Sequence, residues 1–332
     1  MNISRRRALL LCATAIAATT AATASIPALA QQPWPSRPIA LVVAYPAGGD
    51  TDALARMLAD KLTQRLGQPV IIENRPGASG TVGTAYVAKA PADGYTLLFT
   101  PSTFPITPHV LKTGISHSYD VVKDFTPVIL AANIPNVLVA YPGNGIKDVK
   151  GLVNAAKSGK ALSYGTPGAG SPMHIAAEIF DHSAGINITH VPYKGVAPAV
   201  NDVLGGHVDI AYVTPGSVSA HIAKGKLVAL AITDGQRSAA LPGVPTLAES
   251  GYKEVAITSW LGLLGPKGLP PEITHRLNAD LNEILKMPEV ISRMATLGIV
   301  PAGGEPEKLA REVASDYERF GKAVKAFDIR AE

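Results

Sequence analysis

Residues Ile39 to Arg56 read IALVVAYPAGGDTDALAR. An apolar run of strand type stops at Pro46-Ala47-Gly48-Gly49. The chain then restarts at Asp50-Thr51-Asp52 with helical spacing, because Leu54, Leu58, Leu62 and Leu66 recur every fourth residue and so share one face. A strand that stops at two glycines and resumes as a helix leaves backbone N–H groups free at the positive end of the helix dipole. Together these form a site for a small anion, and the glycines let the anion approach without a Cβ in the way. No Lys-Ser/Thr pair follows, so the loop is not a P-loop, and the G-x-G-x-x-G spacing of a dinucleotide fold is missing. Acids in the first helical turn are favourable by the dipole, but a carboxylate beside an anion pocket competes for the same donors. Either the acids turn away, or the ligand carries a positive group that Asp50 meets.

Outward from this stretch, short strand-type runs alternate with helical segments, the pattern of an α/β protein with largely parallel sheets. Strands are expected at Ile39–Ala44, Val70–Glu73, Thr96–Thr100, Val137–Ala140, Ala161–Tyr164, Thr189–Pro192, Val208–Val213 and Leu227–Ile232. Helical patterns fall at Ser171–Ser183, Ala197–Leu204 and Val218–Ala223, and two long apolar stripes, from Ile273 and from Leu309, make the last third helical. Val128 to Tyr141, broken at Asn133-Ile134-Pro135-Asn136, and Val255 to Leu264 are the natural crossings between two lobes. The C-terminal helices then return to the first lobe.

A second junction, Gly165-Thr166-Pro167-Gly168-Ala169-Gly170-Ser171-Pro172-Met173-His174, repeats the logic of the first. Ser171 is placed to cap the helix and Pro172 suits its first position. Two such loops in different lobes can grip an anion from both sides. Gly48 and Gly49 would offer N–H groups, Thr51 and Ser171 hydroxyls, and Gly168, Ala169 and Gly170 would close the opposite side. Ser102 and Thr103, after the third expected strand, would line the cleft. Ser171 and His174 are three apart, which raises a nucleophile pair, but no G-x-S-x-G elbow surrounds the serine and a capping serine is already occupied. His174 then either meets the ligand or an ordered water, or is structural. Gly77-Ala78-Ser79-Gly80-Thr81-Val82-Gly83 has the wrong spacing for a dinucleotide, and a tight turn with close helix packing suffices. Tyr193 and Lys194 end a strand toward the cleft, with a solvated lysine the simpler reading. Asp209, inside a strand, needs partners if buried. The histidines show no metal-ligand spacing, and no metal or cofactor is expected.

The composition narrows the classes. At 332 residues there is room for two domains. With aromatics at 5%, stacking platforms for bases or sugars are scarce, which excludes nucleic acid as a partner. The formal charge of +4 comes largely from Arg5, Arg6 and Arg7; without them 27 basic residues face 26 acidic ones, and no basic patch remains. Those arginines open a leader: an Ala/Leu-rich run follows, then Ala28-Leu29-Ala30 as a cleavage signature before Gln31. Ser4 to Leu10 also brushes a twin-arginine pattern, so both export by the Sec route and by the twin-arginine route stay open. The only cysteine, Cys12, lies in the leader, so the mature chain has no thiol chemistry. Residues 1–30 are read as a cleaved signal peptide, and the protein as periplasmic.

Six motifs occur in one order: YPAGGDTDALAR (45–56), LGQPVIIENRPGASGTVG (66–83), DGYTLLFT (93–100), YGTPGAGSPMH (164–174), VPYKGVAPAVNDVLGGHVDI (191–210) and LPGVPTLAESG (241–251). This series closely resembles the Bug-type (TctC-like) periplasmic substrate-binding receptors of tripartite tricarboxylate transporters, from about Trp34 to the C-terminus. The resemblance implies a two-lobed type II periplasmic-binding-protein fold, each lobe a mixed, mostly parallel sheet flanked by helices, with a ligand cleft between lobes. Lobe 1 would comprise 31–132 and 254–332, and lobe 2 133–253. It implies a monomer that binds a small carboxylate and delivers it to membrane permease subunits, without enzymatic activity; a ligand sensor and a Ser-His hydrolase are the alternatives. The loops Pro46–Asp52 and Thr166–His174 would be the pincers, partly through ordered waters. The binding set is Tyr45, Pro46, Ala47, Gly48, Gly49, Asp50, Thr51, Ser102, Thr103, Thr166, Gly168, Ala169, Gly170, Ser171, His174 and Tyr193. Many members carry Pro-Pro-Gly-Gly and then a small residue; here Pro-Ala-Gly-Gly is followed by Asp50.

Overall fold

The computed structural model describes residues 33–111 and 118–330. The expected signal peptide lies outside the described residues. Two compact units divide the chain, Met1–Ser36 and Arg37–Glu332. Residues 33–36 of the first form no helix or strand; everything that follows concerns the second.

Its strands are β1 (Ile39–Val43), β2 (Val70–Asn74), β3 (Thr96–Pro101), β4 (Phe125–Ile134), β5 (Val137–Ala140), β6 (Ser163–Thr166), β7 (Thr189–Pro192), β8 (Ile210–Val213), β9 (Val228–Ile232), β10 (Ser259–Pro266) and β11 (Val300–Pro301). They form two sheets, ordered β11-β4-β10-β3-β1-β2 and β7-β6-β8-β5-β9. The helices are α1 (Asp50–Leu66), α2 (Thr81–Ala88), α3 (Thr107–Val110), α4 (Val149–Lys157), α5 (Pro172–Ala184), α6 (Val196–Gly205), α7 (Pro215–Ala223), α8 (Pro271–Ile284), α9 (Pro288–Thr296) and α10 (Pro306–Ala326).

The glycine-loop strand, β1, lies between β2 and β3 and runs parallel to both. Ile39, Leu41, Val42 and Val43 are all buried, as befits a strand covered on both faces. In α1 the stripe Leu54, Leu58, Leu62 is buried, and Gly67 ends the helix in the left-handed region with its N–H on the Thr63 carbonyl. The second loop follows β6, parallel to its neighbours β7 and β8. Both loops therefore leave the C-terminal ends of parallel strands, where open α/β sheets bind ligands.

The sheets are mixed, with less parallel pairing than the alternation of elements implied. Strands β4 and β10 pair antiparallel, as do β10 with β3, β11 with β4, and β5 with both β8 and β9. The crossings impose this: a strand that carries the chain between sheets is not preceded by the helix that a parallel return needs. The first crossing is also shorter than its polar sequence suggests. Strand β4 continues through Asn133 and Ile134, held by pairing of Ile134 with Ser259, and only Pro135-Asn136 separates it from β5. Asn136 and Ser259, one on each crossing, hydrogen-bond to each other at 3.1 and 3.2 Å.

The C-terminal helix contributes to two cores. Leu309 and Val313 of α10 enter the first-lobe core with Val42, Leu98 and Trp260. Three turns on, Phe320, Ala323 and Val324 belong to the second-lobe core with Tyr164, Ile175 and Phe180. A 21-residue helix is about 30 Å long, enough to leave one core and enter the other. Its buried Asp316 accepts the Trp260 Nε1–H at 2.8 Å and an Arg319 N–H at 2.7 Å, while Arg319 also donates to the Ala256 carbonyl on the return crossing at 3.0 Å.

Candidate functional site

At the first junction, Pro46, Ala47, Gly48 and Gly49 are exposed and Asp50 and Thr51 half-buried. Gly48 adopts φ +92°, the left-handed region. Gly49 is the N-cap of α1 and no side chain caps the helix. Of the two acids, Asp52 turns inward and braces the loop. Its carboxylate accepts from the Gly48 N–H, Arg56 Nε and Asn74 Nδ2, each at 2.9 Å. Burial pushes its pKa up, and the bonds from Arg56, Gly48 and Asn74 outweigh that and hold it below the usual range. The Asp50 carboxylate makes no hydrogen bond among the described residues, and burial alone raises its pKa. The N–H groups of Gly49, Asp50, Thr51 and Asp52, and the Thr51 hydroxyl, are likewise unpaired among the described residues. The junction thus presents an uncapped helix start with a lone carboxylate beside it.

The second junction is built the other way. Ser171 caps α5 by accepting from the His174 N–H at 3.2 Å. The Gly170 N–H donates to His174 Nδ1 at 3.0 Å, and the Ser171 N–H to the Gly168 carbonyl at 3.2 Å. Thr166 Oγ1 is bonded to His190 Nε2 at 2.7 Å and lies 3.2 Å from the Gly168 carbonyl. Among the described residues, the Ala169 and Met173 N–H groups are the loop amides left without a partner. Ser171 Oγ thus meets the backbone of His174, not its ring, and His174 Nε2 faces Glu178 Oε1 at 3.5 Å. The geometry of a nucleophile and its base is absent.

Contacts carry one loop toward the other. The Tyr45 hydroxyl bonds Thr103 Oγ1 and donates to the Ser79 carbonyl at 3.1 Å; burial pushes its pKa up to about 12, against the opposing effect of the Thr103 bond. Thr103 opens the turn into α3, and α3 ends at Val110. A Cβ on Gly170, itself at φ +73°, would lie 2.7 Å from Val110 Cγ2. The first-lobe loop, the segment 103–110 and the second-lobe loop thus form one continuous chain of contacts. A separate cavity of about 330 Å³, among His109, Val110, Lys325 and Arg330, is lined by neither glycine loop.

Other residues singled out from sequence have structural partners. Ser102 is buried and extends the β3–β10 pairing, its N–H on the Trp260 carbonyl at 2.9 Å and its Oγ accepting from Trp260 N–H at 3.3 Å. Tyr193 donates its hydroxyl to Asp202 of α6 at 2.5 Å, and burial with that carboxylate pushes its pKa up to about 12. Lys194 is exposed. Asp209 ties the start of β8 to β6 by accepting from Ser163 N–H at 3.0 Å. In 77–83 the chain makes a tight turn, and a Cβ on Gly83 would lie 2.9 Å from Ala44 and from the Arg75 carbonyl. Among the described residues there is no cluster of potential metal ligands and no helix long and apolar enough to cross a membrane.

Comparison with known proteins agrees with this architecture. Residues 54–329 match the family described as tripartite tricarboxylate transporter family receptor. The chain belongs to this receptor family. Protein BugT of Bordetella pertussis is 38% identical over 92% of this chain and 94% of its own. Among solved structures, R. palustris Rpa4515 with adipate has a TM-score of 0.80 at 34% identity, covering 90% of this chain and 99% of that one. MatC from Rhodopseudomonas palustris with bound malate has a TM-score of 0.76 at 29% identity, covering 88% and 100%. The tripartite tricarboxylate transporter receptors are substrate-binding proteins rather than enzymes, and the two ligands named are small dicarboxylates. The family match begins at Leu54, after the first loop, so the loop's part rests on its geometry.

Several residues that shape the receptor's two loops carried no sequence signal: Asn74, Ser79, Val110, Glu178 and His190. Arg56 was the exception, since a basic residue four positions after Asp52 marks an i,i+4 pair.

Proposed function

We propose that the protein is an exported, periplasmic receptor that captures a small organic carboxylate by closure of its two lobes, without chemistry, and delivers it to the membrane permease of a tripartite tricarboxylate transporter. Lobe 1 is assigned to 31–132 with 254–332 and lobe 2 to 133–253. The uncapped start of α1 carries the reading. Four unpaired amides and a free Thr51 hydroxyl at the positive end of a 17-residue helix supply donors for the oxygen lone pairs of a carboxylate. Micromolar affinity needs about 8 kcal/mol, whereas a helix terminus supplies at most about 2 kcal/mol. The second loop and enclosure between lobes must therefore contribute, and the Ala169 and Met173 N–H groups are the donors the second loop has left. Adipate and malate, bound by the two solved relatives, are of the class this arrangement accepts, and amino acids and aromatic acids share its carboxylate.

The test is a thermal-shift panel of malate, adipate, glutamate and benzoate on the mature protein. At a hundredfold excess over Kd a ligand stabilises by about 2.7 kcal/mol, a rise of several degrees. Gly49→Leu separates fold from function, because Gly49 has φ −83° and nothing lies within 4 Å of a Cβ there. The variant is expected to fold and to lose the ligand-induced shift. A full shift in that variant removes the first loop from the site.

A further inference from the structure

Both ends of the second loop are fastened to one buried stack of rings. His174 and His190 lie with centroids 3.8 Å apart and planes at 17°; His190 stacks in turn on Tyr164 at 4.8 Å. Tyr164 donates to Glu178 Oε1 at 2.5 Å, the same oxygen that faces His174 Nε2, which closes the circuit. The hydrogen bonds fix the proton positions. Gly170 N–H is a donor, so His174 Nδ1 must be the bare acceptor and Nε2 carries the hydrogen toward Glu178. Thr166 lies 3.2 Å from the Gly168 carbonyl and can only donate to it, which leaves its lone pair for His190 Nε2–H. One ring thus holds Gly170 and the other, through Thr166, holds Gly168. Ala169 sits between two fastened glycines with its N–H free.

We propose that His174 and His190 are a single positioning unit of the binding site: neither touches the ligand, and together they aim the Ala169 N–H at its carboxylate. This rests on the carboxylate-receptor reading above. It assigns the conspicuous His174 to a role acting through Gly170, and it brings in His190, 16 residues away and without a motif of its own.

The unit is tested by His174→Asn against His174→Phe. Asparagine places Oδ1 where Nδ1 stands and keeps the acceptor; phenylalanine keeps the stack and removes the acceptor. The expected results are Kd within threefold of wild type for H174N and weakened at least tenfold for H174F, measured by calorimetry with malate, adipate and glutamate. Without ligand, the Gly170 amide should stay protected from hydrogen exchange in wild type and H174N and exchange rapidly in H174F. T166V, which keeps shape and removes the other clamp's hydroxyl, carries the H174F expectation and replaces it if H174F does not melt cooperatively. Equal binding by wild type and H174F, or equal weakening in H174N and H174F, overturns the positioning role while the receptor reading stands. Absence of binding by wild type across the panel overturns the receptor reading, and this role with it.

Discussion

The two strand–glycine–helix junctions look alike in sequence and are opposites in hydrogen bonding. At Pro46–Asp52 the helix start is left open: no side chain caps α1, and four of its amides and one hydroxyl are unpaired among the described residues. At Thr166–His174 the start of α5 is capped by Ser171, and the N–H groups of Gly168, Gly170, Ser171 and His174 are bonded within the loop, leaving those of Ala169 and Met173 unpaired among the described residues. Open donors bind an anion strongly but cost folding stability while unfilled, since an unpaired polar group forfeits a bond that water must replace. A pincer with one open jaw and one prepaid jaw keeps most of its charge-binding capacity on one side and its shape on the other.

The difference extends to the acids that the two helices bury. Asp52 of α1 is fully partnered and its pKa is depressed, whereas the Asp181 carboxylate of α5 accepts, among the described residues, only the Ile188 N–H, and burial, with Glu178 nearby, pushes its pKa up to about 7. The largest expected effect comes from Asp52→Ala. It removes the acceptor that Arg56, Asn74 and the Gly48 N–H share, while Arg56 and Asn74 keep their bond to each other, and should lower stability by about 2 kcal/mol and abolish the ligand-induced shift, read by chemical denaturation and calorimetry. Retained binding in a folded D52A protein would show that the first loop holds its shape without the brace.

Next comes the pH dependence, where the two acids have opposite signs. The folded pKa of Asp181 is above the unfolded value of 3.8, so its contribution is complete below 3.8 and is lost as pH rises through about 7. The loss between pH 5 and pH 7.5 is about 2 kcal/mol by linkage. Asp52, depressed, contributes above 3.8 and loses its contribution as pH falls through its folded pKa. Asp181→Asn should therefore exceed wild type in stability by a wider margin at pH 7.5 than at pH 5. A gap of the same size at both pH values would place the acid's ionisation outside this window. Ser171→Ala comes third: loss of an N-cap costs about 1 kcal/mol, whereas no comparable substitution exists in α1, which has no cap to lose.

How far the sequence carried this comparison follows from distance along the chain. The glycine turns, the Ser171 cap, the tight packing at Gly83 and the Asp52–Arg56 pair all lie within one turn of helix or one loop, and all are legible there. Ser102 was read as lining the cleft because it follows a strand. It is spent on Trp260, 158 positions away, a contact that only the order of strands in the sheet decides. Tyr193 ends a strand in the same way and gives its hydroxyl to Asp202. The C-terminal helix shows the same limit: its apolar stripe predicts a buried face, but one uninterrupted stripe cannot say that Leu309 and Phe320 enter different cores.

Asp50 gives the smallest effect on stability and the sharpest one on the comparison. Because its carboxylate neither caps α1 nor bonds to any described residue, Asp50→Ser should change the stability of the empty protein by less than about 0.5 kcal/mol. Its effect on ligands should be larger and selective. A carboxylate about 6 Å from a second ligand carboxylate costs on the order of 3 kcal/mol at the effective dielectric near a protein surface, less once salt screens it, and the same geometry favours an ammonium by a similar amount. Wild type should then prefer glutamate to adipate, and D50S should gain about tenfold for adipate while losing affinity for glutamate, both measured by calorimetry at pH 7.5. If adipate affinity does not change, the half-buried carboxylate points away from the ligand. The open jaw would then be a plain anion site, distinguished from its partner only by the missing cap.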